Sequence, residues 1–133
     1  MSRRRAYLVT LGLAWAGYGA LGMIGNVTYS RSRGIAELTR WVPIDVLGWG
    51  WVALGLLAVL AAVPARCPRV QAMGFAAVST PAALWGTAFA YSAATGFDGA
   101  AGGACGWLGF ALGTLWVSGM EDPPPRHLRK GRR

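Results

Sequence analysis

The sequence predicts an all-α integral membrane protein, a four-helix bundle that crosses the bilayer four times with both termini in the cytoplasm. Of its 133 residues, 54% are hydrophobic and only 14% are charged, against roughly 25% charged in soluble domains. Four apolar stretches are each long enough for a spanning helix, which needs about 20 residues. Arginine is concentrated at the chain ends and in one short loop. The charge therefore indicates topology.

The transmembrane domain is predicted over residues 1–120, with spans at about 6–29, 42–63, 70–94 and 100–120. None of these spans contains Lys, Arg or Glu. They are apolar on all sides, unlike amphipathic surface helices, and helix is the only open structure that pairs every backbone group inside a bilayer. The proline triplet and basic residues of 121–133 predict a disordered basic cytoplasmic tail.

Orientation follows from the distribution of Lys and Arg. Ten of the thirteen cationic residues lie on the side of the two termini, and Arg31, Arg33 and Arg40 lie on the other. The excess predicts cytoplasmic termini. The basic start also resembles a secretory signal, but its apolar run is longer than a signal core, which favours an uncleaved first span. Charge at the membrane edges predicts anionic lipid headgroups as partners, and not nucleic acid.

The loop after the first span predicts a short helix on the outer surface. Three apolar residues would share one face of this helix and three charged residues another: Ile35, Leu38 and Trp41, and Arg33, Glu37 and Arg40. Arg33 and Glu37 are four residues apart, and such a pair is worth only about tenths of a kcal/mol, so the charged residues are interpreted as a solvated face.

Seven tryptophans fall into two predicted groups. Those near the predicted interfaces are typical of an aromatic belt: Trp41, Trp107 and Trp116. Those at greater depth are expected to fill gaps opposite glycines: Trp15, Trp49, Trp51 and Trp85.

Small residues at four-residue spacing indicate close helix packing, because backbones approach each other most easily at such positions in lipid. The candidates are Gly12, Ala16 and Ala20 in the first span, Ala82, Gly86 and Ala90 in the third, and Gly109 and Gly113 in the fourth. Packing within one bundle is favoured over an oligomer seam. A short echo at an offset of 58 residues relates the second span to the fourth: Gly48-Trp49 with Ala53-Leu54-Gly55, and Gly106-Trp107 with Ala111-Leu112-Gly113. Duplication of a helical hairpin is one explanation, and biased composition is the other.

Polar residues near the spans are few. Asp45 follows Pro43 by two residues, where a carboxylate stabilises the amino-terminal end of a helix, and a proton or cation site is the alternative. Asn26 is expected to join helices by hydrogen bonds. Pro81 removes one hydrogen bond from the third span, and Ser79 or Thr80 is expected to satisfy the freed carbonyl.

Nothing in the sequence indicates an enzyme, a cofactor or a metal site. It has no phosphate-binding loop, no Ser-His-Asp set and no His-Glu-x-x-His motif. His127 stands alone in the tail. Cys67 and Cys105 are expected on opposite sides of the membrane, so they should not form a disulfide. Cys67 is interpreted as a plain loop thiol, with acylation as the alternative.

The sequence has an arginine-rich start, the segment Gly12-Leu13-Ala14-Trp15-Ala16-Gly17-Tyr18-Gly19, an Arg33-Gly34 turn and a Trp- and Gly-rich second span. Together these features resemble the small four-span membrane proteins of actinobacteria and their phages, some of which are described as holin-like. The resemblance implies a bacterial cytoplasmic membrane protein. The leading hypothesis is a non-enzymatic protein that self-associates. Its most specific form is a phage holin. A small transporter or channel using Asn26 and Asp45 is the alternative, and an accessory subunit with a membrane-protein partner is a third.

Overall fold

The structure, a computed structural model, describes residues 2–26, 28, 32–64 and 67–120, and these residues form helices and turns without a strand. The prediction of an all-α fold is confirmed. Within the described residues, the α-helices are α1 (Arg3–Gly17), α2 (Ala36–Trp41), α3 (Ile44–Ala61), α4 (Pro68–Ala94) and α5 (Ala100–Gly119). A π-helical segment, Tyr18–Met23, extends α1, and a 3-10 turn, Arg33–Ile35, leads into α2. The predicted basic tail, 121–133, lies outside the described residues.

Three helical segments of the described chain are long and apolar enough to cross a membrane: Arg3–Met23, Ile44–Ala61 and Ala100–Gly119. They fall within or close to the first, second and fourth predicted spans. Helix α4 covers the third predicted span and is the longest helix, but it is not among the three. It carries several polar residues in its buried face, Gln71, Ser79 and Ser92 among them. Helices of this length and composition indicate a membrane protein.

The helix ends follow from local chemistry. The Ser2 hydroxyl accepts the Arg5 backbone N–H at 3.3 Å and caps the start of α1. Gly25, with φ of +73°, turns the chain after the π-helical segment, in a conformation that glycine adopts without strain. Pro68 occupies the first turn of α4, where its missing N–H leaves no hydrogen bond unmade.

The four long helices pack side by side. Helix α3 lies between α1 and α4, and α4 lies between α3 and α5. The Tyr7 hydroxyl of α1 and the Thr114 hydroxyl of α5 share a hydrogen bond of 2.8 Å, which links the first and last of these helices. Arg5 at the start of α1 donates to the Ala62 carbonyl just after α3, at 2.6 Å. The start of α1 and the ends of α3 and α5 therefore lie together, at what we call the arginine end.

The opposite end is closed by the segment that precedes α3. A Cβ at Gly34 would collide with the Phe89 ring of α4, and the Gly34 carbonyl accepts a hydrogen bond of 3.0 Å from Ser92. Ile35 is buried as a result, whereas Trp41 is exposed.

Arg33 and Glu37 do not pair in the structure. Glu37 pairs with Arg40 at 3.9 Å and not with Arg33, because Arg33 lies in the 3-10 turn before α2. The 3-10 turn interrupts the α-helical spacing that placed Arg33 one turn before Glu37.

An aromatic cluster fills the space between the long helices: Trp15, Tyr18, Trp51, Trp85, Trp107 and Phe110. The ring centroid of Trp51 lies 4.9 Å from that of Trp15 and 5.1 Å from that of Trp85, both edge-on. Two expectations for the tryptophans are wrong. Trp49 is 62% exposed and fills no gap, and Trp107 belongs to the cluster. Residues two positions apart on a helix point about 200° away from each other. The burial of Trp51 therefore turns Trp49 outward.

Candidate functional site: an open glycine face on the last helix

The two residues predicted as a polar site, Asn26 and Asp45, lie close together at the end opposite the arginines. The Gly25 backbone N–H donates to Asp45 Oδ1 at 2.7 Å, and the Asn26 side chain donates to the Gly22 carbonyl at 3.0 Å. Asp45 is exposed. Its carboxylate ties the turn after the first helix to the first turn of α3, which is a structural contact between two helix ends.

The polar groups around Pro81 bond to backbone carbonyls. Trp15 Nε1 donates to the Val78 carbonyl at 2.8 Å, and Ser79 Oγ donates to the Ala111 carbonyl at 2.9 Å. Thr80 Oγ1 donates to the Ala76 carbonyl at 2.8 Å. The carbonyl freed by Pro81 is that of Ala77, four residues earlier, so the expected role of these hydroxyls is wrong. The Ser79 hydroxyl instead joins α4 to α5, and the Thr80 hydroxyl bonds to the Ala76 carbonyl, one residue before Ala77.

Helices α1 and α3 meet through four glycines, which we call the glycine seam: Gly12, Gly19, Gly48 and Gly55. A Cβ at Gly12 would lie 2.6 Å from the Gly55 carbonyl oxygen. A Cβ at Gly19 would collide with the Gly48 carbonyl oxygen. The backbones of the two helices are in contact at Gly12, Gly19 and Gly55, so only glycine fits there, whereas a Cβ at Gly48 would first meet the Ile24 side chain. The seam is occupied entirely from within the chain.

Helix α5 carries a second set of glycines, which we call the open α5 face: Gly102, Gly106, Gly109 and Gly113. A Cβ placed at any of the four would have no atom of another described helix within 4 Å. Their spacing of four, three and four residues places them within an arc of about 60° on the helix. Buried Ala104, Ala111 and Thr114 occupy the other side of α5. The open α5 face therefore points away from the chain's own core.

The predicted packing residues divide between these surfaces. Four lie in contacts within the chain: Gly12 and Ala16 at the seam, Ala82 in the core, and Gly86 against Leu108 of α5. Ala90 is half-buried and Ala20 is exposed. Gly109 and Gly113 lie on the open α5 face, so packing within the bundle does not account for them.

The reason lies in the spacing. Four residues overshoot one helical turn by about 40°, so two such steps carry Ala20 about 80° away from Gly12. Seven residues fall about 20° short of two turns, and this spacing relates Gly12 to Gly19 and Gly48 to Gly55. The same spacing relates Gly102 to Gly109 and Gly106 to Gly113. Seven-residue spacing was the signal that would have found Gly19, Gly48, Gly102 and Gly106.

A groove of about 370 Å³ runs beside the open α5 face, between α1 and α5. It is lined by Trp15, Gly103, Gly106, Trp107 and Phe110. These residues are apolar, and Gly106 belongs to both the groove and the open α5 face. The two features form one continuous surface that offers shape and apolar contact.

The remaining chemistry-bearing residues are dispersed. Cys67 and Cys105 are both free thiols, one just before α4 and the other in the second turn of α5. Among the described residues there is no group of three or more His, Cys, Asp or Glu that could hold a metal ion. His127 lies outside these residues.

With this geometry in place, comparison with known proteins adds no further constraint. No protein-family model, no curated protein and no solved structure matches the chain.

Proposed function

We propose that the protein is a non-enzymatic multi-pass protein of the bacterial cytoplasmic membrane that self-associates through its open α5 face, with holin-like pore formation as the sharpest form of this activity. The observation that carries the proposal is the open α5 face itself. In lipid, helices associate where small residues let their backbones approach, and the glycine seam is an example within this chain. On α5 the same residue type at the same spacing has no partner helix among the described residues.

Four membrane crossings are supported by the arrangement of α4. The arginine end holds the end of α3 and the end of α5, so α4 has to return through the thickness of the bundle before α5 begins. Its 27 residues span about 40 Å at 1.5 Å per residue, more than the roughly 30 Å of a hydrocarbon core. Its buried polar groups face protein and not lipid.

The charge distribution supports cytoplasmic termini. The arginine end carries Arg3, Arg4, Arg5 and Arg69, and the described residues there include no Asp or Glu. Each of the described acidic residues lies toward the other end: Glu37, Asp45 and Asp98. By the positive-inside rule, this distribution supports a cytoplasmic arginine end.

The filled core favours a pore between copies over a path through one copy. Trp15, Trp51 and Trp85 are buried and in ring contact in the middle of the bundle. A solute moving along the axis would have to displace these rings. The Asp45 carboxylate, the candidate ion site of a transporter, instead bonds the Gly25 backbone near the surface.

Cysteine cross-linking in isolated membranes tests the association. Gly109→Cys, in a background of Cys67→Ser and Cys105→Ser, is expected to give a disulfide-linked dimer on oxidation, because disulfides need Cα atoms within about 7 Å. Gly50→Cys is the matched control, since Gly50 is also open but lies on α3. Monomer alone from both variants would contradict association through α5.

Inducible expression in a bacterial host, followed with a voltage-sensitive dye and by culture density, tests the holin-like form. An abrupt, delayed loss of membrane potential is expected from the natural chain and from Gly50→Leu, but not from Gly109→Leu. Cross-linked dimers without any loss of potential would contradict pore formation and favour an accessory subunit. A conductance abolished by Asp45→Asn would favour the transporter instead.

A further inference from the structure

Arg4 is a partly buried cation at the arginine end of the bundle. It lies one turn before Leu8, which is fully buried, and so shares the inward face of α1. Its guanidinium carbon lies 5.4 Å from the centroid of the Phe75 ring. Its Nε atom is buried and has no hydrogen-bond partner among the described residues. The aromatic ring holds the cation in place without neutralising it.

The neighbouring arginine, Arg5, has hydrogen-bond acceptors for its side chain. Arg5 donates from Nε to the Ala62 carbonyl at 2.6 Å and from Nη2 to the Val63 carbonyl at 3.2 Å. These carbonyls lie just after α3, at the helix end that carries partial negative charge. Arg5 therefore bonds within the fold, whereas the buried Nε donor of Arg4 has no partner among the described residues.

No described residue supplies an anion for Arg4. The arginine end adds three more cations, Arg3, Arg5 and Arg69, and the ion pair among the described residues, Arg40 with Glu37, belongs to the α2 segment. A partly buried charge without a counter-ion is costly. Arg4 also lies in the first turn of Arg3–Met23, a segment able to cross a membrane, which puts it at the level of the lipid headgroups.

We propose that Arg4 binds the phosphate of an anionic phospholipid, with Phe75 fixing the guanidinium from below. A planar guanidinium offers paired N–H donors that match two oxygens of a phosphate. The amino-terminal end of α1 adds its own positive partial charge. The site is independent of self-association, because it lies on the inward side of α1 and uses no residue of the open α5 face.

The test uses the full chain purified in an uncharged detergent. Native mass spectrometry measures retention of phosphatidylglycerol against phosphatidylcholine, and thermal unfolding measures stabilisation by each lipid. Arg4→Gln is expected to weaken phosphatidylglycerol binding by at least about tenfold, the loss of a charged hydrogen-bonding partner. Arg69→Gln, an exposed arginine at the same end, is the matched control and is expected to change binding by no more than about fivefold.

Two further variants make the result specific. Arg4→Lys keeps the charge without the planar fork and is expected to fall between the natural chain and Arg4→Gln. This variant also guards against an Arg4→Gln chain that fails to fold. Phe75→Leu keeps the Arg4 charge but removes the ring, and it is expected to weaken binding less than Arg4→Gln does.

Four outcomes would overturn the proposal. Equal losses in Arg4→Gln and Arg69→Gln would indicate diffuse attraction to the surface. Equal retention of phosphatidylcholine would remove the requirement for an anionic lipid. Inorganic phosphate giving the same stabilisation at the same concentration would make the ligand a free anion. Tighter lipid binding by the double variant Glu121→Gln and Asp122→Asn would identify the chain's own carboxylates as the occupant. All of these measurements can be made on the monomer, so their failure is distinguishable from failure of self-association.

Discussion

The glycine seam and the open α5 face are built from the same residue at the same seven-residue spacing, yet they have opposite surroundings. At the seam, Gly12 and Gly55 bring two backbones into contact. On α5, no atom of another described helix lies within 4 Å of a Cβ placed at Gly106 or Gly113. A glycine pattern therefore predicts that a helix face permits close approach. It does not tell whether the partner helix belongs to the same chain.

The sequence echo sharpens this contrast. At an offset of 58 residues, Gly48 and Gly55 of α3 correspond to Gly106 and Gly113 of α5. The first pair is packed and the second is open. The tryptophan that follows shows the same inversion, since Trp49 is exposed and Trp107 joins the aromatic cluster. The face of α3 that packs against a neighbouring helix corresponds, in α5, to the face that points away from the bundle.

The largest expected effect comes from placing leucine at corresponding positions of the echo. Gly55→Leu should lower the free energy of unfolding by about 3 kcal/mol, because the side chain has to separate two backbones in contact. Gly113→Leu should change the stability of the monomer by less than about 0.5 kcal/mol, as at an open surface. Titration with sodium dodecyl sulfate of protein in mild detergent measures both. Equal losses would erase the distinction between seam and face.

A smaller effect is expected from the tryptophan that anchors α1 to α4. Trp15→Phe keeps an aromatic ring but removes the hydrogen bond to the Val78 carbonyl, at an expected cost of about 0.5–1.5 kcal/mol, the usual net contribution of one hydrogen bond. Trp49→Phe on the outer surface of α3 is the control and should be near neutral. The same unfolding titration applies. A neutral Trp15→Phe would show that this hydrogen bond does not help to hold α1 against α4.

The smallest effect is expected at the end of the seam. Asp45→Ala removes the carboxylate that accepts the Gly25 N–H and should cost about 1 kcal/mol or less, since the site is exposed to water. Asp98→Ala, in the turn between α4 and α5, is the control and should change stability by less than about 0.5 kcal/mol. A loss at Asp45 as large as that of Gly55→Leu would contradict a peripheral role.

The positions of the long helices could be predicted from the sequence because apolar length and the proline and glycine boundaries are local properties. The predicted span at 42–63 and the observed α3, Ile44–Ala61, differ by two residues at each end. The predicted span at 70–94 lies within α4, Pro68–Ala94. The first span was predicted to continue to residue 29, but its helix ends at Met23, where Gly25 turns the chain.

Which face of each helix turns inward could not be predicted, because it depends on contacts between distant segments. Trp49 and Trp51 are equivalent by composition, and only the approach of Trp15 and Trp85 separates them. The open α5 face was half predicted, through Gly109 and Gly113, because four-residue spacing drifts around the helix. For Arg4, the sequence predicted only the attraction to anionic headgroups that it shares with the other terminal arginines. Its proposed site could not be predicted, since Phe75, 71 residues later in the chain, lies beside it only in the folded structure.

The hydrogen bonds of Arg5 bear on the order in which the chain assembles. Its acceptors, the carbonyls of Ala62 and Val63, follow it by 57 and 58 residues. During synthesis, this arginine has no such acceptor until almost half of the chain has been made. From that point every residue of the glycine seam and of the Arg5 contacts has been made, whereas α4 and α5 have not. The aromatic cluster cannot be complete until Trp85, Trp107 and Phe110 have been added, and the Tyr7–Thr114 hydrogen bond has to come later still.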